Sequence, residues 1–401
     1  MQTREPTIVS DNVPYIFKWG ADGILITVDR VDDGKRAVTA ELTIETYPQM
    51  DHIWQSRFNF TSPKARLDLA RTLKPQISNI EPILETLCLT FLKQLRTGEP
   101  VIEVGNMPRR GEPSYTLKPF ILEKATNLIY GAGGIGKSYF ALFCALLVQL
   151  GHAALGLIPM KGNVLYLDYE TCAEEINERI LNLKEGLGIT SDETISYRLS
   201  SNALYEEVPE IRRIIAEQNI ELLIVDSIGV AAGGEPESAE VTLRLFTAIR
   251  SLKTTALCID HVAKAGVAGT PFGSVYKVNA VRNLFEMKKN QEPGEDFINV
   301  ALMHRKMNVG KLIKPLGYRL DFGETKTEVS QVAVERIPEL SKELPLKDRI
   351  RSALLEGGKM STKELAEELE TTESSIRGIL SRYKNEFVKV GNAWGVKTNG
   401  Y

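Results

Sequence analysis

Gly131–Ala132–Gly133–Gly134–Ile135–Gly136–Lys137–Ser138 decides the reading of this 401-residue chain. The stretch has the form G-x-x-x-x-G-K-[ST]. Its glycines let backbone N–H groups turn inward on phosphate oxygens, its lysine reaches the outer phosphates, and its final hydroxyl ligates Mg²⁺. The flanks agree with that use. Asn127–Tyr130 predicts a strand running into the loop, and the apolar run Tyr139–Leu150 predicts a buried helix whose N-terminus adds its dipole at the phosphates. Gly131 through Ser138, together with Tyr139, are therefore the expected nucleotide-binding residues, and ATP with Mg²⁺ is the expected ligand.

Outward from the loop, short apolar runs alternate with helical patterns, the signature of an α/β domain with a mainly parallel sheet. The expected core strands are Asn127–Tyr130, Val164–Asp168, Leu222–Asp226, Ala256–Asp260, Leu284–Met287 and Ile298–His304. Several of these end in groups that phosphate chemistry needs. Leu222–Leu223–Ile224–Val225–Asp226 is a Walker B pattern, with Asp226 set to hold the Mg²⁺ shell beside Ser138. Val164–Asp168 leads to Glu170, the expected base for the attacking water, with Asp168 on the same edge as its competitor. Asp260–His261 ends the next strand, where His261 can sense the γ-phosphate.

These elements, in this order, resemble the RecA-like hexameric helicases, most closely the RepA-type replicative helicases within the wider DnaB class. The residues that carry the likeness are GAGGIGKS (131–138), YLDYE (166–170), LLIVDSIGVAAGGEPES (222–238), CIDHVAKAG (258–266) and HRKMNVGK (304–311). The resemblance implies a RecA-like core, a hexameric homo-oligomer with ATP between subunits, Glu170 as catalytic glutamate and His261 as sensor. That family often reads His-His where this chain has Asp260–His261. The resemblance also implies that Arg305 or Lys306 reaches the neighbouring subunit's nucleotide: Lys306 is favoured by its spacing to Asn308, Arg305 by its forked guanidinium. A cation supplied in trans would make hydrolysis depend on assembly.

Two loops would then face a central channel. Gly229–Ser238 carries Glu235 and Glu237 and would repel phosphate, with Glu240 just beyond it. Val262–Lys277 carries Lys264 and Lys277 with Phe272 and Tyr276 between them, a pattern suited to single-stranded DNA.

The last segment offers three short helices followed by two β-prone runs around Gly391–Asn392, the order of a winged helix-turn-helix. Glu373–Lys384 would be its recognition helix, with Arg377, Arg382 and Lys384 directed at duplex DNA. The expected organisation is an N-terminal α+β accessory domain (1–102), a linker (103–116), the ATPase core (117–324), a second linker (325–343) and the winged helix (344–401). In the accessory domain Gly23–Val31, Ala37–Tyr47 and His52–Phe60 read as strands and the 83–95 stretch as an amphipathic helix. No chemistry is legible there, so residues 1–102 are assigned at most to a protein partner or an oligomer contact.

Composition narrows the setting. A formal net charge of −3 gives no whole-chain attraction to nucleic acid, so any basic surface must be local. Four scattered cysteines without a CxxC argue against structural zinc and disulfides. No secretory h-region is present at the N-terminus, and the most apolar stretch is shorter than the roughly 20 residues a membrane helix needs, so a cytoplasmic setting is expected. Two functions stay open: a ring-forming nucleic-acid motor of a mobile element, phage or plasmid, or an ATP-gated DNA-binding adaptor that does not unwind. The 304–311 segment discriminates between them.

Overall fold

The computed structural model describes residues 5–10, 14–34, 36–97, 101–109, 111–235, 237–262 and 275–397. The chain divides into two compact units: Met1–Glu112 with Asn202–Ile220 and Thr247–Lys253, and Pro113–Ser201 with Glu221–Phe246 and Thr254–Tyr401.

In the first unit, β1 (Thr7–Ser10), β2 (Tyr15–Trp19), β3 (Ile24–Asp33), β4 (Val38–Thr46) and β5 (His52–Asn59) form an antiparallel sheet in sequence order. Strand β4 alternates buried and half-buried residues along most of its length, so one face is committed to the core. Helices α1 (Pro63–Leu73) and α2 (Ile80–Thr97) supply the other wall of that core. Ser62 caps α1 by accepting from the Ala65 amide at 3.2 Å. The α2 stripe of Ile83, Leu84, Leu87, Cys88 and Phe91 is fully buried, as its spacing predicts. Strands β1 and β2 go beyond the three expected. The helix Leu204–Gln218 also belongs to this unit: it packs on β3, where Arg30 lies 3.9 Å from Glu210, and Arg212 donates to the Ser251 carbonyl at 3.2 Å.

The second unit opens with β6 (Tyr115–Lys118) and β7 (Ile121–Leu122), then β8 (Thr126–Gly131), α3 (Lys137–Leu150), β9 (Ile158–Pro159), β10 (Asn163–Asp168), α4 (Ala173–Gly186) and β11 (Ser196–Leu199). The helix 204–218 is α5. After it come β12 (Ile220–Asp226), α6 (Ile228–Ala231), α7 (Ala239–Ser251), β13 (Thr255–His261), α8 (Val275–Ala280), β14 (Asn283–Asn290), β15 (Phe297–Met307), β16 (Leu316–Phe322) and β17 (Thr327–Gln331). Nine strands make one sheet, ordered β11-β10-β12-β13-β8-β14-β15-β16-β17. The β12/β13, β13/β8 and β8/β14 pairs are parallel, and the sheet turns antiparallel from β14 onward. Strand β13 lies between the phosphate-loop strand β8 and the Walker B strand β12, the RecA-like order. Helix α3 is buried almost all round, as an apolar helix must be, and ends at Gly151 with φ +66°.

The 325–343 segment is not a linker. It supplies β17 at the sheet edge, and its Val334, Ile337 and Leu340 pack with Leu344, Ala301 and Met303 through a 3₁₀ turn (Val334–Arg336) and α9 (Pro338–Ser341). Apolar residues spaced through a polar stretch are what hold it down. The C-terminal elements are α10 (Leu346–Glu356), α11 (Thr362–Glu368), α12 (Glu373–Arg382) and the hairpin β18 (Phe387–Val390) and β19 (Ala393–Val396), around their own core of Ile350, Leu354, Leu365, Ile376, Leu380 and Phe387. Ser361 and Glu364 close a capping box on α11. Among the described residues, no helix is long and apolar enough to cross a membrane.

A buried polar chain pins the sheet's centre. Asn127 bridges Leu122, Ala125 and Ala256 carbonyls, its side-chain oxygen accepts from Asn283, and Asn283 accepts from His304 Nε2 at 2.9 Å. His304 Nδ1 accepts from the Ile313 amide at 3.0 Å, so the ring is neutral with its proton on Nε2. Burial lowers its pKa, whereas the unfolded imidazole titrates near about 6.5. The unfolded chain therefore binds the proton more readily. The stability from neutral His304 is complete above that value and is lost as pH falls through the lower folded value. Thermal unfolding at pH 7.5 and 5.0 checks this: the wild type should lose more stability on acidification than His304→Gln.

Candidate functional site

Four strand ends build the site, those of β8, β10, β12 and β13. The β13/β8 register sets His261 beside Gly131, and Asp226 closes the adjoining β12. Gly134, Ile135, Gly136, Lys137, Ser138 and Tyr139 from the loop, with Glu170, Asp226 and His261 from strand ends, line one cleft of about 330 Å³.

The loop is shaped by its glycines. A Cβ on Gly131 would sit 2.5 Å from the Met287 carbonyl oxygen, and Gly136 has φ +87°. A Cβ on Gly133 or Gly134 would meet nothing within 4 Å, which leaves their backbone open to a phosphate. Lys137 is buried, and its ammonium donates to the Gly131 and Ala132 carbonyls at 3.0 and 2.7 Å. Burial lowers its pKa, and Asp226, Glu170 and Asp260 draw it back up.

Asp226 receives hydrogen bonds from Ser138 and, at 2.5 Å, from the Tyr166 hydroxyl. Burial pushes its carboxyl up and these two bonds oppose the shift. Among the described residues, no group of three or more His, Cys, Asp or Glu could hold a metal. The Ser138–Asp226 pair instead suits a hard cation that takes its other oxygens from phosphate and water. The residues present thus fit a nucleoside triphosphate with Mg²⁺.

The two competing carboxylates separate cleanly. Asp168 is buried and accepts from the Glu170 amide (2.9 Å), the Thr171 amide (3.1 Å), the Thr171 hydroxyl and the Tyr197 hydroxyl (3.0 Å), so its oxygens are spent on shaping the loop. Glu170 faces the cleft. It accepts from Ser227 Oγ, and His261 Nε2 lies 3.5 Å from it. The His261 contact is the largest influence holding Glu170 below the usual carboxylate value, against burial. Glu170 is therefore ionised and free to take a proton or orient water.

Residues 98–267, less than half the chain, match the AAA domain family. No curated protein matches the chain. A KaiC-like protein from the hyperthermophilic archaeon Pyrococcus horikoshii OT3 is similar at 19% identity over 55% of this chain and 98% of its own, with a TM-score of 0.38, a likeness that carries no argument. The matched stretch holds the phosphate loop, and the sheet around that loop has the RecA-like strand order.

Outside the cleft, the predicted cations fare differently. Lys277 is corrected: it is 2% exposed and forms an ion pair with buried Asp260 at 2.8 Å, so it cannot follow a phosphate backbone. Lys264 and Phe272 lie outside the described residues. Arg305 is engaged within its own chain, donating to Glu286 through Nε (2.8 Å) and Nη2 (2.6 Å), with Glu343 at 3.9 Å. The Lys306 ammonium donates to the Val278 and Val281 carbonyls at 2.7 and 2.8 Å, holding the end of α8. Neither side chain reaches this chain's own cleft. Arg377 pairs with Glu373 on α12, whereas Arg382 and Lys384 are exposed.

Several site residues escaped the sequence. Ser227 and Tyr166 hold the two functional carboxylates, yet one follows Asp226 inconspicuously and the other reads as an apolar strand residue. Arg179 lies over the Tyr139 ring (5.0 Å), which meets Phe322 edge-on (5.1 Å), and all three line the cleft. Together they give the cleft an aromatic and cationic wall against which a nucleobase can pack. Two variants separate loop shape from strand-end chemistry. Gly131→Ala should weaken binding of a fluorescent ATP analogue at least tenfold, because its methyl group displaces the Met287 backbone. Asp168→Ala should cost about 1–3 kcal/mol in unfolding free energy by orphaning the amides it serves.

Proposed function

We propose that this protein is an ATP-hydrolysing, ring-forming nucleic-acid motor of the RepA/DnaB type, serving a mobile element, phage or plasmid as a replicative-type helicase. The observation that carries this is Glu170: an ionised carboxylate facing the same cleft as Lys137, Ser138 and Asp226, with His261 reaching it from the end of β13, beyond the intervening β12. In this reading Lys137 and the loop amides hold the phosphates, Ser138 and Asp226 hold Mg²⁺, and Glu170 aligns the attacking water. His261 reports the γ-phosphate through its contact with Glu170. Single-stranded DNA would thread a homo-hexameric channel. The α12 face of a winged helix, with Arg382 and Lys384, would meet duplex DNA, and the cytoplasm would be the setting.

A second reading is favoured by one observation. Arg305 and Lys306, the cations a neighbour's nucleotide would need, are both held within their own chain. An ATP-gated DNA-binding adaptor needs no cation in trans. For the motor, Lys306 must exchange the carbonyls of α8 for a phosphate of the adjoining subunit, so assembly and finger release would be one event.

Glu170→Gln should lower kcat at least about a hundredfold while nucleotide binding persists. Light scattering with a non-hydrolysable ATP analogue, with and without single-stranded DNA, should show a ring, and turnover should rise with DNA and fall in Lys306→Ala. A chain that stays monomeric with turnover indifferent to DNA overturns the motor. Rings that fail to unwind a forked duplex establish the adaptor.

A further inference from the structure

Strand β13 carries its last two side chains to opposite faces of the sheet, as strand geometry requires. His261 points into the cleft with Ile259, toward Glu170. Asp260 points the other way, is 1% exposed, and meets the equally buried Lys277 ammonium at 2.8 Å. The backbone amide of the adjoining His261 also favours the charged form of this carboxylate. One buried carboxylate therefore joins the main chain of the residue facing Glu170 to a cation on α8.

That cation is itself anchored. Lys277 sits on α8, whose last carbonyls are held by Lys306 from β15. The post against which Asp260 is pulled is thus tied to a second strand of the same sheet. A buried ion pair gains little over two well-packed apolar side chains, so added stability is a poor reason for placing one here. What the pair supplies, and an apolar pair cannot, is a negative charge fixed in position beside the His261 amide.

We propose that Asp260 and Lys277 are positioning residues for hydrolysis, their buried ion pair fixing the His261 main chain and so holding its imidazole against Glu170. Neither touches nucleotide. Both act through His261, and the proposal rests on Glu170 aligning the attacking water, as set out above. Removing the Lys277 charge leaves Asp260 buried without its cation, so the carboxyl takes up a proton and the His261 amide loses its charged neighbour. A small displacement of the His261 ring misplaces the reacting geometry, whereas the phosphate loop is also held by Lys137 and by β14, where Lys289 donates to the Gly134 carbonyl.

The test compares Lys277→Met and the neutral pair Asp260→Asn/Lys277→Met with wild type, measuring thermal midpoint, ATP-analogue affinity and kcat. Lys277→Met should lose stability and about tenfold or more in kcat, with analogue affinity within about twofold of wild type. The double variant, which buries no charge, should recover the thermal midpoint but not kcat, and it carries the test if Lys277→Met does not fold. Recovery of kcat along with stability would show that the pair is only structural and overturn the proposal. Glu170→Gln is the control on the underlying reading. If it turns over ATP like the wild type, the assignment of Glu170 falls and the positioning role falls with it. If it is inactive while the double variant is fully active, only the positioning role falls.

Discussion

A lysine ammonium held under the phosphate loop is the constraint from which the rest of the site follows. Lys137 spends two of its three protons on the Gly131 and Ala132 carbonyls, which leaves one for a ligand. To be useful there it must be buried, and a buried cation needs negative charge nearby without a direct partner to neutralise it. The parallel strands answer both needs. They bring Asp226, Glu170 and Asp260 close enough to support the charge, while each carboxylate is occupied elsewhere: Asp226 by Ser138 and Tyr166, Glu170 by Ser227 and His261, Asp260 by Lys277. Charge is thus shared across the strand ends and not cancelled at any one of them.

Parallel pairing is what makes this possible. Strands that run the same way finish at the same edge, and the helices that return the chain cover both faces, so carboxyl ends gather in one place. The antiparallel strands from β15 onward add no cleft carboxylate. They contribute shape instead, through Ile298 and Phe322 at the cleft wall. The polar chain through Asn127, Asn283 and His304 fixes where that antiparallel extension meets the parallel half.

Much of this was legible in the sequence. The phosphate loop, the Walker B aspartate and Glu170 each sit where a local pattern ends, and local patterns are what a sequence displays. The choice between Asp168 and Glu170 was not legible, because it depends on which carboxylate the following amides claim. Lys277 was misread for a similar reason. A lysine near aromatic residues looks like a nucleic-acid contact, and only the fold reveals an aspartate seventeen residues earlier waiting for it. Lys306 matched a finger by spacing, but nothing local announces that α8 ends within its reach. The 325–343 stretch read as a linker because its polar residues outnumber the few apolar ones that dock.

The composition of the first unit bears on how this protein can be divided. Helix α5 lies in sequence between strands of the ATPase sheet, yet it belongs with the N-terminal sheet, and Leu204 and Ile211 are fully buried. A cut after residue 112 would therefore not release a self-sufficient ATPase. It would leave an amphipathic helix stripped of the strand it packs on, with its apolar stripe turned to water. The accessory sheet and the ATPase domain are interleaved in the chain, so a lineage that lost the first would have to shed α5 from the middle of the second's sequence as well.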